Sequence, residues 1–418
     1  MTPNQSMLWT DRLRNIMPWG SSTISKAPKF APDEPGAIVR GKGCRVWDAD
    51  GREYIDFRNA LGPVTLGYCF DAVNEAIREQ MVNGIVFGQP HPIECLVAEM
   101  LCEVIPCAEQ ARFLKTGGEA LAACIRLARH HTGREHVIQI GYNGWLNSLS
   151  AAGAVLPGRI GPAAPAGVPE SLCMLHHACR WNDLSQMQAI FDRYDDQIAA
   201  VVIAADYSKM EDGRTFYPAV RELTRRNGTV LIFDEIVTGF RIAIGGVQEY
   251  FGVSPDMAVF AKGMANGMPI SVYVGRRELM QDFGDVIVSS TYGGETLSLA
   301  AAEAAIRTYR DQDVVGHLWR QGRRLVTEAN SLFEQYALGI RLEGMAPCPI
   351  FVFEAETGKT DTDRLQDVFF RASYRHGLSF YNVSYVNFSH RDEDITEAMD
   401  RLDAACGEIA SEGADGCG

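Results

Sequence analysis

From about residue 70 to about 310 the chain alternates two hydrophobic patterns. In the first, apolar residues recur three and four positions apart, as in "FDAVNEAIREQM" and "PIECLVAEMLCEVI". That period predicts amphipathic helices. The second is a short, unbroken apolar run: "HVIQIG", "AAVVIAAD", "TVLIFDE" and "MAVFAKG". Runs apolar on both faces predict strands of a sheet covered by helices on both sides. Helical segments such as "LSQMQAIFDRYDDQ" and "PAVRELTRRNG" separate several of these runs. Strand and helix in alternation predict an α/β fold with a mainly parallel sheet.

Past about residue 310 the texture changes. A long helical segment, "VVGHLWRQGRRLVTEANSLFEQYAL", is followed by the strand-like "PIFVFEAE" and by two more helices, "TDRLQDVFFRASYRHG" and "RDEDITEAMDRLDAACGEIA". This reads as a smaller α+β domain with its own core. The first 40 residues, rich in Ser, Pro and Lys, read as an arm. In "CRVWDADGREYIDF" alternating apolar residues flank Asp50–Gly51, the pattern of a hairpin. "DADG" lacks the later acidic ligands of a calcium loop and reads as a plain turn. The expected division is an arm and hairpin over 1–55 that belong to the small domain, a large domain over 56–310, and the remainder of the small domain over 311–418.

Composition narrows the function. The net charge of −14 argues against nucleic acid or an anionic membrane as the main partner, since both recruit basic patches. No stretch approaches the roughly 18 apolar residues of a membrane span. The 11 cysteines are scattered, with no C-x-x-C pair, and read as reduced thiols of a cytoplasmic protein.

Ligands of parallel sheets gather at the carboxyl ends of strands. The polar residues that end the apolar runs are Asp206, Asp234 and Lys262. A carboxylate at a buried strand end needs a partner. For Asp234 a turn amide, a metal, an arginine and a protonated ring nitrogen all qualify. Lys262 enters a loop with glycines at 263 and 267. It is either a lysine that extends its head to water or a desolvated amine able to attack an aldehyde. Thr116–Gly117–Gly118 precede a strongly periodic helix, where free amides would hold a phosphate. Tyr142 and Trp145 lie among glycines after a strand, and either pack in the core or stack on a planar ligand. Thr291, followed by Gly293–Gly294 and a small-residue helix, is a second candidate phosphate contact. His176, His177 and Cys179 are close in sequence, but adjacent histidines in a loop read as locally packed rather than as metal ligands, and no metal is expected. In this order the parts suit a phosphorylated, planar, basic aldehyde, which describes pyridoxal 5′-phosphate.

"LIFDEIVTGFR", "GGVQEYFGVSPDMAVFAKGMANGMPISVYVGRREL", "ARFLKTGGEALAACIRLARHHTGR", "GYNGW", "GGETLSLAA" and "SHRDEDI" together resemble the class III aminotransferases, in their glutamate-1-semialdehyde aminomutase-like branch. The resemblance spans roughly residues 35–405. It implies a fold-type I enzyme dependent on pyridoxal 5′-phosphate, and a homodimer with shared active sites. By residue, it implies that Lys262 bonds the coenzyme's aldehyde and shuttles the proton. Asp234 pairs with the ring nitrogen, and Ile236 and Tyr142 cover the two ring faces. Thr116, Gly117 and Gly118 hold the phosphate, and Thr291 reaches the phosphate of the partner subunit. Glu235, Trp145, Ala205 and Lys26 are assigned to the substrate side.

Four positions depart from the family pattern. Gly118 stands where relatives carry a hydroxyl residue, and Asn143 where they carry His. Ala205–Asp206 replace Glu-Pro, and "SSTISKAPKF" lacks the arginine of the N-terminal stretch, for which Lys26 is the substitute. The implied activity is transfer of an amino group from a small-molecule amino donor to a ketone or aldehyde acceptor in a biosynthetic pathway. An aminomutase or racemase is the alternative, and a degenerate fold relative that only binds is a third reading.

Overall fold

All five residues of the strand Val230–Asp234 are buried, as are all seven of Ile198–Ala204 and all four of Met257–Phe260. These runs are the centre of a seven-stranded sheet. Its order is Gln110–Leu114, Ser271–Gly275, Met257–Phe260, Val230–Asp234, Ile198–Ala204, His136–Ile140, His176–Ala178. Met257–Phe260 and Ile198–Ala204 both run parallel to Val230–Asp234. Ser271–Gly275 is the exception, antiparallel to the strands on either side of it. The expected mainly parallel sheet is therefore present, with one reversed strand inserted.

The computed structural model describes residues 5–150, 155–156, 159–160, 165–281, 286–354 and 362–415. The chain divides into two compact units, Asp71–Val315 and Met1–Phe70 with Gly316–Gly418.

In the larger unit the helix Gly117–Thr132 lies on one face of the sheet. It buries Ala120, Leu121, Ala123, Cys124, Ile125, Leu127 and Ala128. These pack with Val137, Val202, Ile232, Val259 and Tyr273 of the sheet. Each fully buried Leu or Ile contributes roughly 1.5–3 kcal/mol, so this face anchors the helix firmly. The helix is closed at its end by Gly133, in the left-handed conformation.

The smaller unit carries a four-stranded sheet: Ile38–Lys42, Arg45–Asp48, Glu53–Asp56 and Leu378–Ser379. The hairpin read from the sequence is there, with Arg45–Asp48 antiparallel to Glu53–Asp56 and Gly51 at φ +84° in its turn. Val46, Tyr54 and Tyr374 form its core, with Phe30 packed against them. No helix among the described residues is long and apolar enough to cross a membrane.

Candidate active site

Asp234 is the last residue of its strand, and in the parallel register it lies opposite Val259. Three residues beyond Val259, past the strand's end at Phe260, comes Lys262. The topology thus brings the two residues to the same edge of the sheet. Lys262 opens a short 3-10 turn, Lys262–Ala265, with φ +42°. That is the left-handed region, which a side-chain-bearing residue occupies at a cost of about 1–3 kcal/mol. The Tyr309 hydroxyl donates to the Gly263 carbonyl at 2.9 Å and ties down the peptide that follows.

The electrostatics are unusual for both groups. Burial pushes the Asp234 carboxyl up to about 6, while the Ile236 amide, the Asn143 amide and the positive charge of Lys262 pull it back. Burial pushes the Lys262 amine down to about 8; Asp234 resists that fall and Arg241 adds to it. A pair shifted towards neutrality from both sides is the pattern of a reactive site. The carboxylate is held from two directions. Oδ1 accepts from the Ile236 amide at 3.1 Å and Oδ2 from Asn143 Nδ2 at 3.4 Å.

The Thr116–Gly118 segment forms the start of its helix as a capping box. The Thr116 hydroxyl accepts from the Glu119 amide, and the Glu119 carboxylate accepts from the amides of Lys115 and Thr116. The hydroxyl counted as a phosphate ligand is thus already engaged as a cap. The amides of Gly117 and Gly118 are outside the box and face the helix's positive end, where an anion is favoured. The Ser271 hydroxyl donates to the Thr116 carbonyl at 2.8 Å, which fastens this loop to the reversed strand.

Ile236 is half-buried and packs against Gly117. Tyr142 is 58% exposed and Trp145 80%, so neither is the core residue that the sequence allowed. Burial, and after it the charge of Asp234, raises the Tyr142 hydroxyl's pKa. Its loop is drawn in by Gly141, at φ +76°, where a Cβ would come 2.7 Å from the Ala204 carbonyl. Ala205 is half-buried just past the strand Ile198–Ala204. Its neighbour Asp206 caps the next turn, accepting from the Ser208 amide at 3.0 Å.

Two expectations need correction, on Glu235 and on the histidine pair. Glu235 was placed on the substrate side, but strand alternation turns it the other way from Asp234. Its carboxylate is fully buried, bonded by the Thr238 hydroxyl and by the amides of Val247 and Gln248. It holds the start of the helix Val247–Phe251. Past the second glycine pair, the helix Thr296–Asp311 is capped by Glu295, whose carboxylate accepts from the amides of Leu297 and Ser298. Thr291 itself is exposed, upstream of that cap. Lys26 belongs to the smaller unit, where it lines a cavity with Glu34, Arg58, Tyr68 and Tyr374. His176 and His177 lie on a strand rather than a loop, and no metal-binding cluster exists among the described residues.

Sequence reasoning missed the residues behind Asp234. Asn143 counted only as a departure, and Gln139 passed as part of an apolar run. A polar residue between two isoleucines in "HVIQIG" is the signal that could have found it.

The sequence profile described as Aminotransferase class-III matches residues 30–406. Glutamate-1-semialdehyde 2,1-aminomutase from Aquifex aeolicus (strain VF5) is 31% identical, over 94% of this chain and 97% of that protein. 3-Aminobutyryl-CoA aminotransferase from Cloacimonas acidaminovorans (strain Evry) is 30% identical, over 97% of each. The solved structure of the pyridoxal-phosphate internal aldimine form of FumI from Sphingopyxis sp. MTA144 superimposes with a TM-score of 0.88 at 24% identity, over 98% of this chain and 97% of that one.

Proposed function

The chain belongs to the class III aminotransferases, and from that premise we propose that Lys262 and Asp234 carry its chemistry. It is an enzyme dependent on pyridoxal 5′-phosphate that moves an amino group from an amino donor to a ketone or aldehyde acceptor. The residues present suit that coenzyme. A buried carboxylate awaits a cationic partner, a desolvated amine stands beside it, and Gly117 and Gly118 open a helix, where an anion is favoured. When bound, pyridoxal 5′-phosphate supplies an electron sink for a carbanion next to the transferred nitrogen.

In this reading Lys262 has two tasks. Its amine would bond the coenzyme's aldehyde carbon, and once free it would move the proton at the substrate carbon. The observation that carries the proposal is its depressed pKa beside Asp234, which makes a neutral amine available near pH 8. Asp234 keeps a proton on the ring nitrogen. Gly117 and Gly118 bind the phosphate through their amides, and Thr116 preserves the cap that aims them. Ile236 and Tyr142 cover the ring faces, while Trp145 and Ala205 border the substrate. Borohydride reduction of the loaded enzyme followed by peptide mapping tests the assignment. The label is expected on Lys262; a label on another lysine, or full turnover by Lys262→Ala, overturns it.

The aminomutase relatives support a second reading, in which the amine returns to the same molecule. Substrate incubated without an acceptor separates the two: net isomer formation marks a mutase, and a single half-reaction marks a transaminase. We favour transamination onto a biosynthetic acceptor, because the substrate-side positions of the family are changed: Ala205 stands in place of Glu, and "SSTISKAPKF" lacks the N-terminal arginine.

A homodimer is also part of the proposal. Ile85, Val86 and Phe87 are exposed apolar residues, and Thr296 binds the Gly84 and Ile85 carbonyls at the start of its helix, close in sequence to Thr291. A second copy covering that surface would bring Thr291 to its phosphate. The free cysteines among the described residues support a reducing, cytoplasmic setting.

A further inference from the structure

Behind Asp234 runs a line of hydrogen bonds whose direction is forced at both ends. Arg129, in the last turn of the helix Gly117–Thr132, can only donate, and its Nη2 lies 3.1 Å from His176 Nε2. The Leu149 carbonyl can only accept, and it takes Gln139 Nε2 at 3.0 Å. The Gln139 amide is therefore oriented with Oε1 towards His176 Nδ1, 2.6 Å away. His176 then carries its proton on Nδ1 and accepts from Arg129 on Nε2. The same Gln139 Nε2 donates to Asn143 Oδ1 at 3.2 Å, and Asn143 Nδ2 donates to Asp234 Oδ2 at 3.4 Å. Gln139, Asn143 and His176 are all buried.

We propose that Arg129, His176, Gln139 and Asn143 are positioning residues that relay the Arg129 charge to Asp234 and keep its carboxylate ionised and oriented. Asn143 is neutral at every pH, so the positive end of the relay has to come from further back, and Arg129 supplies it. Burial and the Arg129 charge push His176 down to about 3, so its ring is neutral and its tautomer stays fixed across the working range. Each dipole in the line points its positive end at Asp234, and hydrogen-bond chains of one direction reinforce each other in a low dielectric. One helix thus serves both ends of the site. Its first turn offers amides to the phosphate, and its last turn supports the carboxylate.

The inference rests on the reading of Asp234 as partner of the ring nitrogen, but its test does not need the coenzyme. The apoprotein, with 13C-labelled aspartate, is titrated by difference infrared spectroscopy to follow the Asp234 carboxyl. The titratable groups that interact with Asp234 electrostatically are Lys262, Cys124, Tyr142 and Tyr217, and the variants leave all four in place. In Gln139→Leu and in Arg129→Leu the midpoint is expected to rise by about one unit. Arg129 is only half-buried, so its variant keeps the test open should Gln139→Leu fail to fold. An unchanged midpoint in a folded Arg129→Leu protein overturns the relay. In the loaded enzyme the same variants are expected to lower kcat about tenfold with KM for the amino donor unchanged. Failure of the Lys262 labelling experiment would instead overturn the underlying functional reading and leave the apoprotein result standing.

Discussion

Gly117 and Ile236 occupy one space between them: a Cβ placed on Gly117 would lie 2.2 Å from Ile236 Cδ1 and 2.8 Å from its Cγ1. The phosphate loop and the turn after Asp234 are therefore seated against each other. Gly117→Ala is expected to displace Ile236 and weaken coenzyme binding about tenfold, or about 1.4 kcal/mol. Ile236→Ala removes the colliding atoms, so the double variant is expected to bind more tightly than Gly117→Ala alone. A thermodynamic cycle of coenzyme dissociation constants measures that coupling.

Gly118 differs from its neighbour. A Cβ there meets only ordinary contacts, the nearest at 3.7 Å from Leu146. Gly118→Ser would add a hydroxyl beside two amides without a clash. Coenzyme retention is expected to improve about tenfold or more, at roughly 1.5–3 kcal/mol for one hydrogen bond to a charged group. Dialysis of the loaded enzyme followed by absorbance checks this, and faster loss from the serine variant would count against a phosphate at this position.

The lowered pKa of Lys262 sets a pH profile. Below about 8 the amine is mainly protonated and cannot attack an aldehyde, and above it the neutral form dominates. The rate of coenzyme uptake by the apoprotein is expected to rise with pH and level off past about 8. Stopped-flow absorbance reads it directly. A rate still climbing steeply towards 10.5, the ordinary value for lysine, contradicts the assignment.

The buried strands, and the polar residues Asp234 and Lys262 at or just past their ends, were legible because each depends on local pattern. An apolar run ends, and the next polar residue stands at the sheet's edge. Which side a residue faces was harder to read. Asp234 and Glu235 look equivalent in sequence, yet a two-residue period sends them to opposite faces, and only the tertiary amides of Val247 and Gln248 show where Glu235 goes. The cap on the helix Thr296–Asp311 was missed for a similar reason: Glu295 follows two glycines as an ordinary acid, and only the helix that starts after it gives it a task. The relay to Arg129 draws on three separate strands and loops, which no local pattern encodes.

Glu235 gives a stability prediction with a definite sign. Burial pushes its folded pKa up to about 7, from an ordinary 4.5. Below 4.5 both folded and unfolded chains hold the proton, and its contribution is intact. As pH rises from 4.5 to about 7, the unfolded chain has released a proton that the folded one still keeps, and stability falls. Glu235→Gln has no such loss. Its stability relative to the parent is expected to climb between pH 4.5 and 7 by up to about 3 kcal/mol, measured by denaturant unfolding. Coenzyme absorbance should be unchanged, in keeping with a residue that supports a helix rather than the substrate.

The reversed strand Ser271–Gly275 has a mechanical consequence for Lys262. A parallel successor would have carried the chain across to the far end of the sheet through a crossover of a dozen or more residues. Because this strand is antiparallel, the segment that leaves Phe260 returns at Ser271 to the same edge, with Phe260 paired to Val272. The lysine is therefore clamped on both sides, by a strand before it and a strand after it, with Tyr309 gripping the peptide between. The main chain here works as a fixed mount, and only the four methylenes of Lys262 are left to swing.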